Sequence, residues 1–167
     1  MQLNECTEGC LRTGRKLAVE LLVGRTWPSL SAMKLTAHLA DAAQPDLAGK
    51  VSALGLGWTY IGTPMPPHAI VLFIEVEPSE ANVEHRLTCD LLDEDGQQVA
   101  VNGEPVLHFD GELTVGAGPD AVPGAAITQA FAFPIPAGIP LPAGRRWEYR
   151  LTVGYAVASA SFATRAD

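Results

Sequence analysis

The sequence is short of cysteine, of basic residues and of long apolar runs, and each shortage removes a class of function. Cys6, Cys10 and Cys89 are the only cysteines. Three thiols cannot build a disulfide framework, which points to a reducing, cytoplasmic setting. Cys6-x-x-x-Cys10 has no second ligand pair beside it, so a zinc site there is not expected. Eleven Lys and Arg stand against nineteen Asp and Glu, a formal net charge of −8. That balance excludes a nucleic-acid partner, which would need cations to neutralise phosphates, and an anionic membrane surface. No stretch approaches the roughly 20 apolar residues that span a bilayer.

Signature motifs are missing as well. There is no G-x-S-x-G, H-E-x-x-H or P-loop, and Gly55-Leu-Gly57 is only a fragment of a dinucleotide fingerprint. His38, His68 and His85 stand isolated, with no triad partner pattern. Hydrolase, kinase and dehydrogenase readings therefore lack support, and no enzyme activity or cofactor is expected. No internal repeat is visible.

What the chain has is apolar content broken into short pieces. Hydrophobic residues make up 47% while charged residues make up only 18%, the balance of a filled core and not of disorder. Sixteen Gly and thirteen Pro punctuate the apolar runs, as in a domain of many short strands joined by turns. At 167 residues the chain suits one such domain.

Residues 1–32 differ from the rest, holding four of the eleven basic residues (Arg12, Arg15, Lys16, Arg25). Three readings compete for this leader. Leu17–Val23 imitates the apolar core of a secretory signal, but Glu20 splits it. Leu11, Ala18, Leu21 and Leu22 can share one face of a short helix over Cys10–Val23. The favoured reading is a start placed too early, with a disordered or absent leader and a domain over 33–167.

From Met33 onward strand-length runs alternate with turns. Strands are expected at Leu35–Ala42, Val51–Ile61, His68–Glu77, Glu84–Leu92, Gln97–Val101, Pro105–Val115, Ile127–Ile135, Arg146–Val153 and Ala156–Thr164. His68–Glu77 is apolar on both parities and reads as a central strand. Asp93-Glu-Asp-Gly96 reads as a tight hairpin turn into Gln97–Val101. Pro134, Pro136, Pro140 and Pro142 exclude a helix and mark an edge strand or irregular crossover. The fold class expected is all-β: a two-sheet antiparallel β-sandwich of about eight strands, immunoglobulin-like or C2-like, with a small closed barrel as rival.

Four segments carry a resemblance: Gly57-Trp-Thr-Tyr-Ile-Gly62, His85-Arg-Leu-Thr-Cys-Asp-Leu-Leu-Asp-Glu-Asp-Gly96, Phe131-Ala-Phe-Pro134 and Leu141-Pro-Ala-Gly-Arg-Arg-Trp-Glu-Tyr-Arg-Leu151. Their order, over Lys34 to Ala163, resembles a group of small uncharacterised actinobacterial β-sandwich proteins, a domain of unknown function also met in phage and mobile elements. The resemblance implies a fold and, if phage-derived, a place in a virion. It implies no activity and no catalytic residue.

Candidate sites are few. His108, Asp110 and Glu112 lie on one face of a strand, successive members roughly 6–7 Å apart, and could contribute to a divalent-metal site or a small metalloenzyme. The simpler reading is a solvated polar face. Asp90, Asp93, Glu94 and Asp95 gather at a hairpin tip, where calcium is the sharp reading and turn chemistry the plain one. Trp58, Tyr60, Trp147 and Tyr149 could line a carbohydrate or small-ligand pocket, although their shared parity makes them core candidates first. Cys89 reads as a small core residue. The preferred function is a non-catalytic structural or protein-interaction domain, acting through loops or an edge strand. Its partner would be a protein, as a homo-oligomer or in a larger assembly.

Overall fold

A computed structural model of the chain describes residues 33–46, 49–119 and 121–165. The chain divides after residue 30, and all described residues belong to the second unit. The three readings of the leader fall outside the described residues.

The domain is all-β, with twelve strands and one short 3₁₀ turn over Pro78–Glu80 among the described residues. The strands are β1 (Lys34–Ala40), β2 (Ala42–Pro45), β3 (Val51–Leu54), β4 (Tyr60–Ile61), β5 (His68–Val76) and β6 (Glu84–Leu92). They continue with β7 (Ala100–Val101), β8 (Glu104–Pro105), β9 (His108–Thr114), β10 (Ile127–Ile135), β11 (Arg146–Val153) and β12 (Ala156–Thr164). Eight of them form two main sheets, ordered β1-β5-β10 and β4-β12-β11-β6-β9. The remaining four form the hairpins β2-β3 and β7-β8.

Strand pairing is antiparallel except for the two-residue contact of β4 with β12, which is parallel. The expected uniformly antiparallel arrangement is corrected there. β5 is central, as its two apolar parities predict. Ile70, Leu72, Ile74 and Val76 are fully buried on one parity, and Ala69 and Val71 are buried on the other. The first set faces the second sheet; β2 lies against the opposite side of β5 and β10. Apolar faces of both sheets meet in one cluster that includes Leu87, Cys89, Leu91, Tyr149, Leu151, Val153 and Phe162. Each large side chain buried there stabilises the fold by about 1.5–3 kcal/mol relative to exposure.

Four expected strands are built differently, and one of them, Pro105–Val115, is split between β8 and β9. Val51–Ile61 is broken between β3 and β4, where Gly55 and Gly57 adopt φ of 67° and 95°. A Cβ on Gly55 would run into the Asp41 carboxylate, so this close approach and left-handed backbone require glycine. Leu35–Ala42 bends at Asp41, ending β1 and beginning β2. Gln97–Val101 joins the β6 backbone at a single Leu92–Gln98 bridge, and its end, β7, pairs forward with β8. Asn102 and Gly103, with φ of 55° and 86°, make that turn, the Asn-Gly chemistry of a two-residue hairpin.

Candidate functional site

The outer face of the five-stranded sheet carries the expected metal residues. β9 is an edge strand paired to β6, with His108 opposite Asp90, Asp110 opposite Thr88 and Glu112 opposite Arg86. His108 Nδ1 lies 2.7 Å from Asp90 Oδ1, which also accepts a 2.6 Å bond from Gln98 Nε2. Asp110 is drawn toward Arg86 at 3.4 Å. His108 and Asp110 are therefore engaged by separate cross-strand partners. Among the described residues no three His, Cys, Asp or Glu side chains are placed to hold a metal ion. A shallow cleft lined by Arg86, Asp110, Gly111 and Glu112 lies at this row.

Turn geometry accounts for the acidic tip. Asp93 Oδ1 accepts from the amides of Asp95 and Gln97 at 3.0 and 2.9 Å, an Asx-type turn. Glu94 reaches Arg145 at 3.6 Å. Farther along the same outer face, Glu148 Oε1 accepts from Arg150 and from Ser159. This face is polar, solvated and internally paired.

The four aromatic candidates do not share one environment. Trp147 and Tyr149 are core residues, 4% and 0% exposed, whereas Tyr60 is 64% exposed. Leu54 and Leu56, which share the sequence parity of Trp58 and Tyr60, are also exposed. Trp58 is half-buried, and its Nε1 donates to Asp41 at 2.8 Å. Its ring lies 4.8 Å from that of His68, which lies 5.7 Å from that of Tyr149.

His68 is thus not isolated. It is 3% exposed, with Nδ1 3.0 Å from the Pro66 carbonyl and Nε2 3.0 Å from Tyr149 Oη. A carbonyl only accepts, so Nδ1 carries the proton and Nε2 accepts from the tyrosine hydroxyl. Burial lowers the His68 pKa, partly offset by the Pro66 bond, and keeps the ring neutral. Burial likewise raises the Tyr149 hydroxyl, and pushes the Cys89 thiol up to about 12 with a smaller contribution from Asp90. Neither group is a ready acid or nucleophile. His68 was missed because its partner lies 81 residues away, and no local spacing announces it.

β10 is the feature that the polar rows do not resemble. It is an edge strand of the three-stranded sheet, paired only to β5. Its nine residues, Ile127-Thr-Gln-Ala-Phe-Ala-Phe-Pro-Ile135, carry no charge. Ile127, Phe131 and Phe133 are half-buried on its inner parity, and Phe133 meets Phe109 of β9 at 5.3 Å between ring centres. The flank between the two sheets is therefore apolar and part open. Two buried polar atoms, Glu80 Oε2 and His85 Nε2, have no hydrogen-bond partner among the described residues; Glu80 ends the 3₁₀ turn before β6 and His85 lies in β6 itself.

No helix among the described residues is long and apolar enough to cross a membrane. No curated protein matches the chain. Residues 35–154 match the model of a family of unknown function, DUF6941, a span that runs from β1 to the end of β11. The chain belongs to that family.

Proposed function

We propose that this domain is a non-catalytic protein-interaction module, a β-sandwich of immunoglobulin-like or C2-like layering, that works by pairing through an open sheet edge. The observation that carries the reading is the uncharged, nine-residue β10 edge beside a half-buried aromatic flank. Proteins normally blunt such edges, because a row of unpaired N–H and C=O groups templates another strand. His108 and Asp110 are engaged by Asp90 and Arg86, and His68, Cys89 and Tyr149 are buried. Membership of a larger cytoplasmic assembly, or of a phage or mobile-element particle, is the finer form of this reading.

The test is the size of the native species. In extract from the source cells, the chain is expected to elute well above its 17.6 kDa monomer mass. An Ala130→Pro variant expressed in its place is expected to shift to the monomer position. Elution of the unaltered chain as a monomer would overturn the reading.

A further inference from the structure

Four strands form the sheet edges, and three of them are protected. β4 is two residues long, β9 carries Asp110 and Glu112, and β1 begins with Lys34 and lies against β12. Short length, charge and cover are the usual defences against edge-to-edge pairing. β10 is long and uncharged; it carries Pro134 and packs against β2 and β3, but it has neither the short length nor the charge that guards β4 and β9.

That proline reveals which main-chain groups are free. In an antiparallel strand the N–H and C=O of one residue point to the same side, and successive residues alternate. Pro134 stands opposite Ala69 of β5 and has no N–H to give, so its position points away from β5. Thr128, Ala130 and Ala132 share its parity, and their N–H and C=O groups therefore face outward. No hydrogen bond to another element is formed by these groups among the described residues.

Resting on the interaction reading above, we propose that the partner at this edge is a second copy of the chain, with β10 pairing antiparallel to β10 about a two-fold axis at Phe131. An edge without charge gives a basic or acidic peptide nothing to grip. On a chain of net charge −8, it is also a strip where two copies approach without opposing carboxylates. Full overlap of the two nine-residue strands places Phe131 opposite Phe131, Ala130 opposite Ala132 and Thr128 opposite Pro134. This register matches the free parity on both sides. Ala130 and Ala132 exchange N–H···O=C bonds, and the Thr128 N–H meets the Pro134 carbonyl, which needs no donor in return. The two Phe131 side chains meet at the close, non-hydrogen-bonded position. Two three-stranded sheets become one continuous sheet, and the aromatic flanks are brought together.

Sedimentation velocity and light scattering on the purified full chain at tens of micromolar test this. The expected result is a mass twice 17.6 kDa. Ala130→Pro removes an outward N–H without touching the β5 ladder, and is expected to give a monomer with a cooperative melt. A folded Ala130→Pro dimer would overturn the edge assignment. Should that variant fail to fold, disulfide trapping decides. In a Cys6→Ser/Cys10→Ser background, Phe131→Cys is expected to form an intermolecular disulfide on oxidation. Thr128→Cys, which stands opposite Pro134, is expected to stay unlinked. A monomeric purified chain with no Phe131→Cys cross-link overturns self-pairing. If that same chain elutes as a large species in cell extract, the interaction reading survives with a different partner; if it is monomeric there too, both readings fall.

Discussion

His68 is a buried imidazole held neutral by what surrounds it, and its proton balance sets an expected pH dependence. Its folded pKa lies below the ordinary histidine value of 6.5 because burial disfavours the charged ring, so the unfolded chain binds the proton more readily. Stability is then fully present above about pH 6.5 and declines as pH falls below it, towards the lower folded pKa. Chemical denaturation at pH 7.5 and 5.5 should show this loss, and His68→Gln should flatten it. Equal slopes in the two proteins would refute the assignment. Cys89, 0% exposed with its thiol pushed up to about 12, gives a second expectation. In a Cys6→Ser/Cys10→Ser background it should resist thiol reagents at pH 8 until the domain unfolds. Labelling as fast as for a free thiol would show that β6 opens locally. Both groups sit in strands legible in the sequence, but their partners come from other elements. The His68–Tyr149 bond spans 81 residues.

At the scale of elements, the break between β3 and β4 is the clearest departure from local pattern. Leu54, Leu56, Trp58 and Tyr60 keep strand parity in the sequence. Yet the backbone at Gly55 is left-handed at φ 67° and backs onto Asp41. Gly55→Ala should therefore destabilise the domain by about 1–3 kcal/mol and disturb the Trp58–Asp41 bond, read as a change in tryptophan fluorescence. An unchanged midpoint would mean that the loop relaxes freely. The β9 row makes a different point. His108, Asp110 and Glu112 share a face as expected, but β6 supplies Asp90 and Arg86 directly across from it. Calcium or zinc should leave the melting temperature unchanged, and His108→Ala should behave the same way. A stoichiometric metal in the purified protein, lost in His108→Ala, would reverse that conclusion. The Asn102-Gly103 turn was legible in principle, since Asn-Gly is a strong hairpin signal, but the preceding Asp95-Gly96 turn competes for the same strand.

At the scale of the whole molecule, the ion pairs among the described residues lie on exposed or half-exposed side chains. Lys34–Glu75 and Arg86–Asp110 have side chains 38% to 75% exposed, and such pairs contribute about 0–1 kcal/mol each. The net charge of −8 opposes compaction weakly at low ionic strength. Raising salt from about 0.05 to 0.5 M weakens both effects, so the melting temperature is expected to hold or rise by a few degrees. A fall of more than about 5 °C would show that the surface pairs carry stability. Stability resides in the shared apolar core, whose members come from both main sheets.

By itself the sequence determined the β-class, the central place of β5, the solvated parity of β9 and the low charge of β10. Each of these depends on alternation along one strand or on the conformational limits of Gly and Pro, which are local properties. Only the tertiary structure decided that Trp147 and Tyr149 are core while Tyr60 is exposed, that His68 meets Tyr149, and that the Pro134 segment is an edge strand and not a crossover. Those facts depend on which strands become neighbours. Neighbour choice is set by burial summed over both sheets, and no single segment records it.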